Sequence, residues 1–287
     1  MRSDGDRWGI AESVGVTALG VAASRAAETR RPDGLVRDPY AKEFVLAAGP
    51  QVQIPFGHAF DDGTEISSTY IGVRSRFFDQ FCAESAPGNT QTVILAAGLD
   101  TRALRLAWPS GSTVFEIDQA AVLAFKDRVL AGRNGDGARR VLVPVDLRED
   151  WAEALLAAGF EPARPSTWLV EGLLPYLPAR AEAELFDRID TLSHAGSRIA
   201  VEQVDAALLV ERSEELSALL GIDIAELMYI DHREDPAGRL RRQGWAVSWT
   251  SATDFAEAYG RDLDEARFGG IATFVRATKP APLGTNA

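Results

Sequence analysis

From Thr92 onward, short β-branched or apolar runs alternate with stretches in which apolar residues recur every three or four positions. A run of the first kind buries as a strand and a stretch of the second kind lays one stripe of a helix on a neighbour, so their alternation predicts a parallel sheet covered by helices. Strands are expected at 92–96, 113–117, 141–145, 167–170 and 197–202, and again at 245–250 and 272–277. Between them, Val122, Phe125 and Val129, then Trp151, Leu155 and Ala158, then Leu185, Ile189 and Leu192 mark helical stripes. Two further helices are expected at 236–242 and 253–259.

The first ninety residues carry no strand pattern. They read as helices, the first at 13–24, broken at Arg31-Pro32-Asp33-Gly34, Asp38-Pro39 and Gly49-Pro50, with a loop at 54–57. After the fifth strand, the leucine-rich acidic stretch 206–220 is too long for a simple connection and predicts an inserted helical lid. Its leucines at 208, 209, 216, 219 and 220 suit a lid or a dimer contact equally, so the sequence leaves oligomeric state open. The expected organisation is one domain over 1–287: a helical cap at 1–90, a sheet core at 91–205, a lid at 206–235 and the rest of the sheet at 236–278. Only the ends read as frayed.

Composition narrows the partners. The 42 acidic and 30 basic residues give a net charge of −12, the wrong sign for gaining affinity from phosphate backbones or anionic lipid. Nucleic acid and membrane are therefore not expected partners. No apolar run approaches the roughly 20 residues that cross a bilayer, and Asp4, Asp6 and Glu12 precede 13–24 where a secretory peptide carries positive charge. The one cysteine, Cys82, cannot form an internal disulfide and lies in an apolar stretch. It reads as a small buried hydrophobe in a reducing, cytoplasmic setting.

In an open parallel sheet, ligands bind beyond the carboxyl ends of the strands where strand order reverses. The first expected strand runs into Ala96-Ala97-Gly98-Leu99-Asp100-Thr101-Arg102, and Asp118 follows Gly98 by twenty residues, the spacing at which an acid receives the ribose hydroxyls of a nucleoside. G-x-G-x-x-G is absent, because Ala96 and Thr101 replace the outer glycines. That weakens the case for a pyrophosphate but not for a nucleoside without phosphates. The alternative is a plain turn at Gly98 with Asp118 capping the next helix. The third strand leads into Val145-Asp146-Leu147 and the fourth into Glu171-Gly172-Leu173-Leu174-Pro175-Tyr176. Singly, Asp146 reads as a helix cap and Glu171 as a structural acceptor; with Glu116 and Asp118 they form a carboxylate-lined cleft suited to a cation. Nucleotide-loop, zinc-protease, serine-hydrolase and paired-cysteine motifs are missing. His194 reads as a charge at a helix end. Asp231, His232, Glu234 and Asp235 read as a solvated turn rather than a metal site, and no metal is expected.

Seven segments then carry a resemblance: residues 17–29, Arg37-Asp38-Pro39-Tyr40, 73–79, 97–103, 114–119, 144–148 and 170–177. In order and spacing they are similar to the actinobacterial S-adenosylmethionine-dependent methyltransferases related to leucine carboxyl methyltransferase. The resemblance implies a class I methyltransferase fold, a Rossmann-like doubly wound α/β sheet of seven strands with the last antiparallel, a helical cap and a lid after the fifth strand. It implies S-adenosyl-L-methionine as cofactor, with Gly98 in the cofactor turn, Asp118 on the ribose, Asp146 and Leu147 at the adenine, Glu171 near the methionine portion and Arg74 on the cofactor's carboxylate, assisted by Arg25. Ala96 departs from the glycine common in relatives, and a methyl there is expected to narrow the turn.

The function so implied is methyl transfer to an oxygen of a small-molecule acceptor, a carboxylate by resemblance. Such an acceptor is ionised at neutral pH and needs no general base. A phenol or alcohol would be helped by one, for which His58, His232 and Tyr229 are the candidates. Acceptor contacts are expected from the cap and lid, around Tyr70, Tyr176 and Tyr229. The rivals are a nicotinamide-dependent oxidoreductase, disfavoured by the missing glycines, and a non-catalytic homologue that binds the cofactor.

Overall fold

The computed structural model describes residues 13–49, 52, 65–133, 135, 137–212, 214, 217, 228–229, 233–263 and 269–281. One seven-stranded sheet forms from β1 (Gln91–Leu95), β2 (Ser112–Asp118), β3 (Ala138–Pro144), β4 (Ser166–Val170), β5 (Arg198–Val204), β6 (Ala246–Ser251) and β7 (Ala272–Thr278), in the order β3-β2-β1-β4-β5-β7-β6. β1 to β5 are parallel, and β7 runs antiparallel to both β5 and β6. The expected strands are all present. The largest departure is β3, which starts at Ala138: Arg139 and Arg140 hide its first turn of pattern, and Arg140 sits in the ladder because its fork reaches Glu116 and Asp127.

β1 and β4 are buried along their whole length, as continuous apolar runs in a sheet covered on both faces should be. Alternate side chains feed two cores. Val93, Leu95, Phe115, Ile117, Trp168 and Val170 pack with Trp151 and Leu155 of α6 (Trp151–Ala157), Leu185 and Ile189 of α7 (Ala179–Thr191) and Leu240 of α9 (Pro236–Arg242). Ile94, Val114, Leu169 and Ala200 pack with Phe77, Phe78 and Phe81 of α3 (Glu65–Ser85) and Ala252 and Ala256 of α10 (Ala252–Glu257). Each of the larger side chains among these contributes about 1.5–3 kcal/mol relative to exposure, so the strand ends stand on a rigid base.

The first helix runs further than expected, over α1 (Ser13–Arg30). With α2 (Ala41–Ala48) and α5 (Ala120–Val129) it encloses a third core, in which Leu19, Phe44 and Phe125 meet Leu99 from the turn after β1. The N-terminal helices thus floor the strand ends. Of the expected lid, α8 (Ala206–Glu211), Arg212, Glu214, Ser217, Met228, Tyr229 and 233–235 are described; the loop at 54–57, His58 and His232 lie outside the described residues. No helix among the described residues is long and apolar enough to cross a membrane.

Candidate functional site

The chain steps from β1 out to β3, then returns to β4 on the other side of β1. Strand order therefore reverses between β1 and β4, and a crevice opens at their carboxyl ends. The turn after β1 bends through two left-handed residues, Ala96 at φ +51° and Gly98 at φ +45°. Ala96 is the one non-glycine residue with positive φ among the described residues, and its methyl packs against the core below. The turn keeps the step a glycine would supply, at a cost of roughly 1–2 kcal/mol for an L-residue. Set against the entropy a glycine adds to the unfolded chain, Ala96→Gly should raise stability by about 0.5–1 kcal/mol in urea unfolding. A loss of stability would contradict this account of the turn.

Asp118, the last residue of β2, anchors that turn. Its Oδ2 accepts from the Gly98 N–H at 2.7 Å and its Oδ1 from the Gln119 N–H at 2.7 Å. It is not the side-chain cap of α5: Gln119 holds that position and makes no capping bond. Burial pushes its pKa up to about 6, against the pull of the two amides and of Lys126. Gln119 Nε2 in turn donates to Asp146 Oδ2 at 2.9 Å. Asp146 does not cap α6 either, since Asp150 does so through the Glu153 N–H. Burial raises the Asp146 pKa, but hydrogen bonds from the Arg148 side chain and amide overcome that and hold it low. Leu147 is half-buried beside it. Gly98, Asp118, Asp146 and Leu147 therefore lie on one linked arc.

Glu116 does not join them. β2 continues to Asp118, so Glu116 lies two residues deeper, fully buried, with Lys126 Nζ and Arg140 Nε each 2.9 Å from its Oε2. The spacing of acids along the strand does not distinguish a strand end from its interior.

Beyond β4, Glu171 accepts from Arg102 Nη1 on Oε2 at 2.6 Å and forms an ion pair with Arg74, whose Nε lies 2.9 Å from Oε1 without hydrogen-bond geometry. Arg102, the first residue of α4 (Arg102–Arg105), also donates to Asp79 at 2.7 Å and pairs with Asp100. Burial raises the Asp100 pKa, yet the charges of Arg102, Lys126 and Arg105 and the Arg102 amide together outweigh it and the carboxyl falls to about 2. Arg105 joins Asp79 and Thr101, Thr101 joins Asp38, and Asp38 joins Arg25. At the other end Arg74 Nη1 reaches Glu202, which also holds Tyr70 and the Gly172 N–H. One continuous polar chain thus runs from α1 beneath the β1 turn to the end of β5. Sequence pattern alone does not single out Asp79, Asp100, Arg102 or Glu202 as site residues, although Asp100 and Arg102 sit in the turn motif and Glu202 closes an expected strand.

Two expectations change. Arg25, expected to assist Arg74, instead binds Asp38 through Nε at 2.8 Å and the Leu99 carbonyl through Nη2 at 2.7 Å, so it fastens α1 to the β1 turn. Tyr70, expected near the acceptor, is buried with its hydroxyl on Glu202. Tyr176 is half-buried, and the Tyr229 N–H donates to the Pro175 carbonyl at 2.8 Å, which joins the stretch that follows β5 to the segment of Tyr176 after β4. That backbone bond is reinforced by Arg233, which donates to the carbonyls of Leu174 and Tyr229 and to Glu182. Cys82 is buried, and burial pushes its thiol pKa up. Asp235 caps α9 and Glu234 pairs with Arg239 and Arg242. No group of three or more metal-binding side chains occurs among the described residues.

The donor set fits an amino-acid nucleoside. Asp118 keeps a lone pair on each oxygen for hydroxyls and Glu171 suits an ammonium, whereas Asp146, whose oxygens each already accept two hydrogen bonds from Arg148 and Gln119, takes an amine only by exchanging one of them. Arg74 Nη2 makes no hydrogen bond among the described residues, which leaves a guanidinium edge for a carboxylate.

Comparison with known proteins places the chain in a family. The family model for leucine carboxyl methyltransferase matches residues 18–190. A Rhodococcus jostii protein named as an S-adenosyl-L-methionine-dependent methyltransferase is 48% identical over 275 residues, covering 92% of this chain and 94% of the relative. One of the same name from Saccharopolyspora erythraea is 46% identical over 277 residues, covering 92% and 94%. Among solved structures, a methyltransferase from Thermobifida fusca superposes with a TM-score of 0.58 at 14% identity, covering 94% of this chain and 96% of that one, which speaks for the fold alone.

Proposed function

The chain belongs to the leucine carboxyl methyltransferase family and is an S-adenosyl-L-methionine-dependent methyltransferase; from that premise we propose that it methylates an oxygen of a small molecule, a carboxylate. The observation that carries the reading is the arc of Gly98, Asp118 and Asp146 after β1, β2 and β3, together with the Arg74 and Glu171 pair after β4. The family's name supplies the acceptor class.

In this reading Asp118 takes the ribose hydroxyls, Asp146 the adenine amine with Leu147 against the ring, Glu171 the ammonium and Arg74 the carboxylate of the methionine portion. When bound, S-adenosyl-L-methionine supplies a methyl already activated on a sulfonium. The protein's part is to align the acceptor oxygen with that methyl and to exclude water. A carboxylate acceptor arrives ionised and asks no side chain for proton transfer. Tyr176 and Tyr229, on segments joined by the bond from the Tyr229 N–H to the Pro175 carbonyl, are the candidates for orienting it.

Transfer of a tritiated methyl group from S-adenosyl-L-methionine to acids in a cell extract tests the proposal. A carboxyl methyl ester releases its label as methanol in mild alkali. Label that resists alkali identifies a phenol or alcohol acceptor and overturns the carboxylate.

Asp118 also sets a pH dependence. With a folded pKa of about 6, above the usual carboxylate value, its proton favours the folded state, so its contribution to stability fades as pH rises from about 4 to 6. Binding runs the other way, because ribose hydroxyls donate best to the ionised group. S-adenosylhomocysteine should bind about tenfold more weakly at pH 5 than at pH 7, with proton release seen as buffer-dependent heats in calorimetry. An affinity flat across that range would reject this role.

A further inference from the structure

Glu202, near the end of β5, holds three groups at once. Tyr70 donates its hydroxyl to Oε1, the Gly172 N–H donates to Oε2 at 2.6 Å, and Arg74 Nη1 stands 3.3 Å from Oε2. Burial and the Glu202 charge keep the Tyr70 hydroxyl protonated, and therefore a donor. Tyr70 and Arg74 are four residues apart on α3, so one helix face presents both to the same carboxylate. Gly172 lies at φ +61°, and a methyl on it would stand 3.5 Å from Arg74 Nη1, so the guanidinium rests against bare backbone.

We propose that Glu202 is a positioning residue of the cofactor site: it pins the Arg74 guanidinium against Gly172, so that Nη2 is preset for the carboxylate of an α-amino-acid ligand. This rests on the reading of Arg74 given above. An unrestrained arginine samples many rotamers, and binding would otherwise have to remove that freedom. Here the guanidinium is ion-paired with Glu171 through Nε, without a hydrogen bond there, and Nη1 is hydrogen-bonded to Glu202 before any ligand arrives, so Glu202 supplies the directional hold. Glu202 touches no part of the ligand in this role and acts through Arg74.

Two ligands separate the role from a merely structural one. S-adenosylhomocysteine has the amino-acid end; 5′-methylthioadenosine shares the nucleoside and thioether but lacks it. Calorimetry on Glu202→Gln, which keeps an acceptor for Gly172, should show S-adenosylhomocysteine weakened about tenfold and methylthioadenosine changed less than twofold. Equal weakening of both, or no weakening of the first, overturns the proposal. If Glu202→Gln does not fold, Tyr70→Phe should give the same split at about threefold, and equal effects there overturn it as well. The Arg74 reading fails separately: wild-type protein would then bind the two ligands alike, and Arg74→Lys would alter neither affinity.

Discussion

Asp118→Ala is expected to weaken S-adenosylhomocysteine binding by roughly a hundredfold while leaving the protein folded. A hydrogen bond to a charged acceptor contributes about 1.5–3 kcal/mol, and two ribose hydroxyls on one carboxylate make a loss near 3 kcal/mol conservative for that geometry, where 1.4 kcal/mol is tenfold. The fold should survive because two opposing effects meet at this residue. The substitution strands the Gly98 and Gln119 amides that Asp118 now holds, but it also removes a carboxylate whose ionisation burial opposes. Calorimetry checks the affinity and urea unfolding the stability. An affinity within threefold of wild type would remove Asp118 from the site.

The largest stability loss should come from Arg102→Met. Methionine keeps an unbranched stem beside Phe78 but removes the charge that Asp79, Asp100 and Glu171 share. Asp79 retains Arg105 and Glu171 retains Arg74, whereas Asp100 loses its arginine. Breaking a buried pair from one side costs roughly 3–5 kcal/mol. The loss should depend on pH with a definite sign. Asp100 is depressed to about 2 in the folded protein, so the stability it contributes is present above about pH 4 and fades as pH falls toward 2. The variant lacks that contribution, and its deficit should be largest at neutral pH and shrink below pH 4. A neutral-pH deficit under about 1 kcal/mol would mean the polar chain does not depend on its branch point.

The sheet was legible because its signal is local: β1 and β4 are unbroken apolar runs, and burial on both faces allows nothing else. β3 was harder to bound, because Arg139 and Arg140 look like loop residues until Glu116 is seen to pair with one of them. The arc of Gly98, Asp118 and Asp146 was legible from spacing, since consecutive parallel strands put their ends on one edge. What spacing could not tell was depth. Glu116 and Asp118 share a face of β2, and only the register with β3 leaves one inside and the other at the edge. Nor could it tell which arginine faces which acid: Arg25, Arg74, Arg102 and Arg105 come from three helices, and their partners are fixed by how those helices dock. Glu202 lay in an expected strand with no motif around it, and its three partners lie 30 to 132 residues away in the chain.

A crystal structure of the chain with S-adenosylhomocysteine tests the central claim most directly. The account predicts the ribose hydroxyls on Asp118, the adenine amine on Asp146 and the amino-acid carboxylate on Arg74 Nη2, with Glu202 still on Nη1. A ligand bound elsewhere than the β1/β4 crevice, or one whose carboxylate turns away from Arg74, would contradict it.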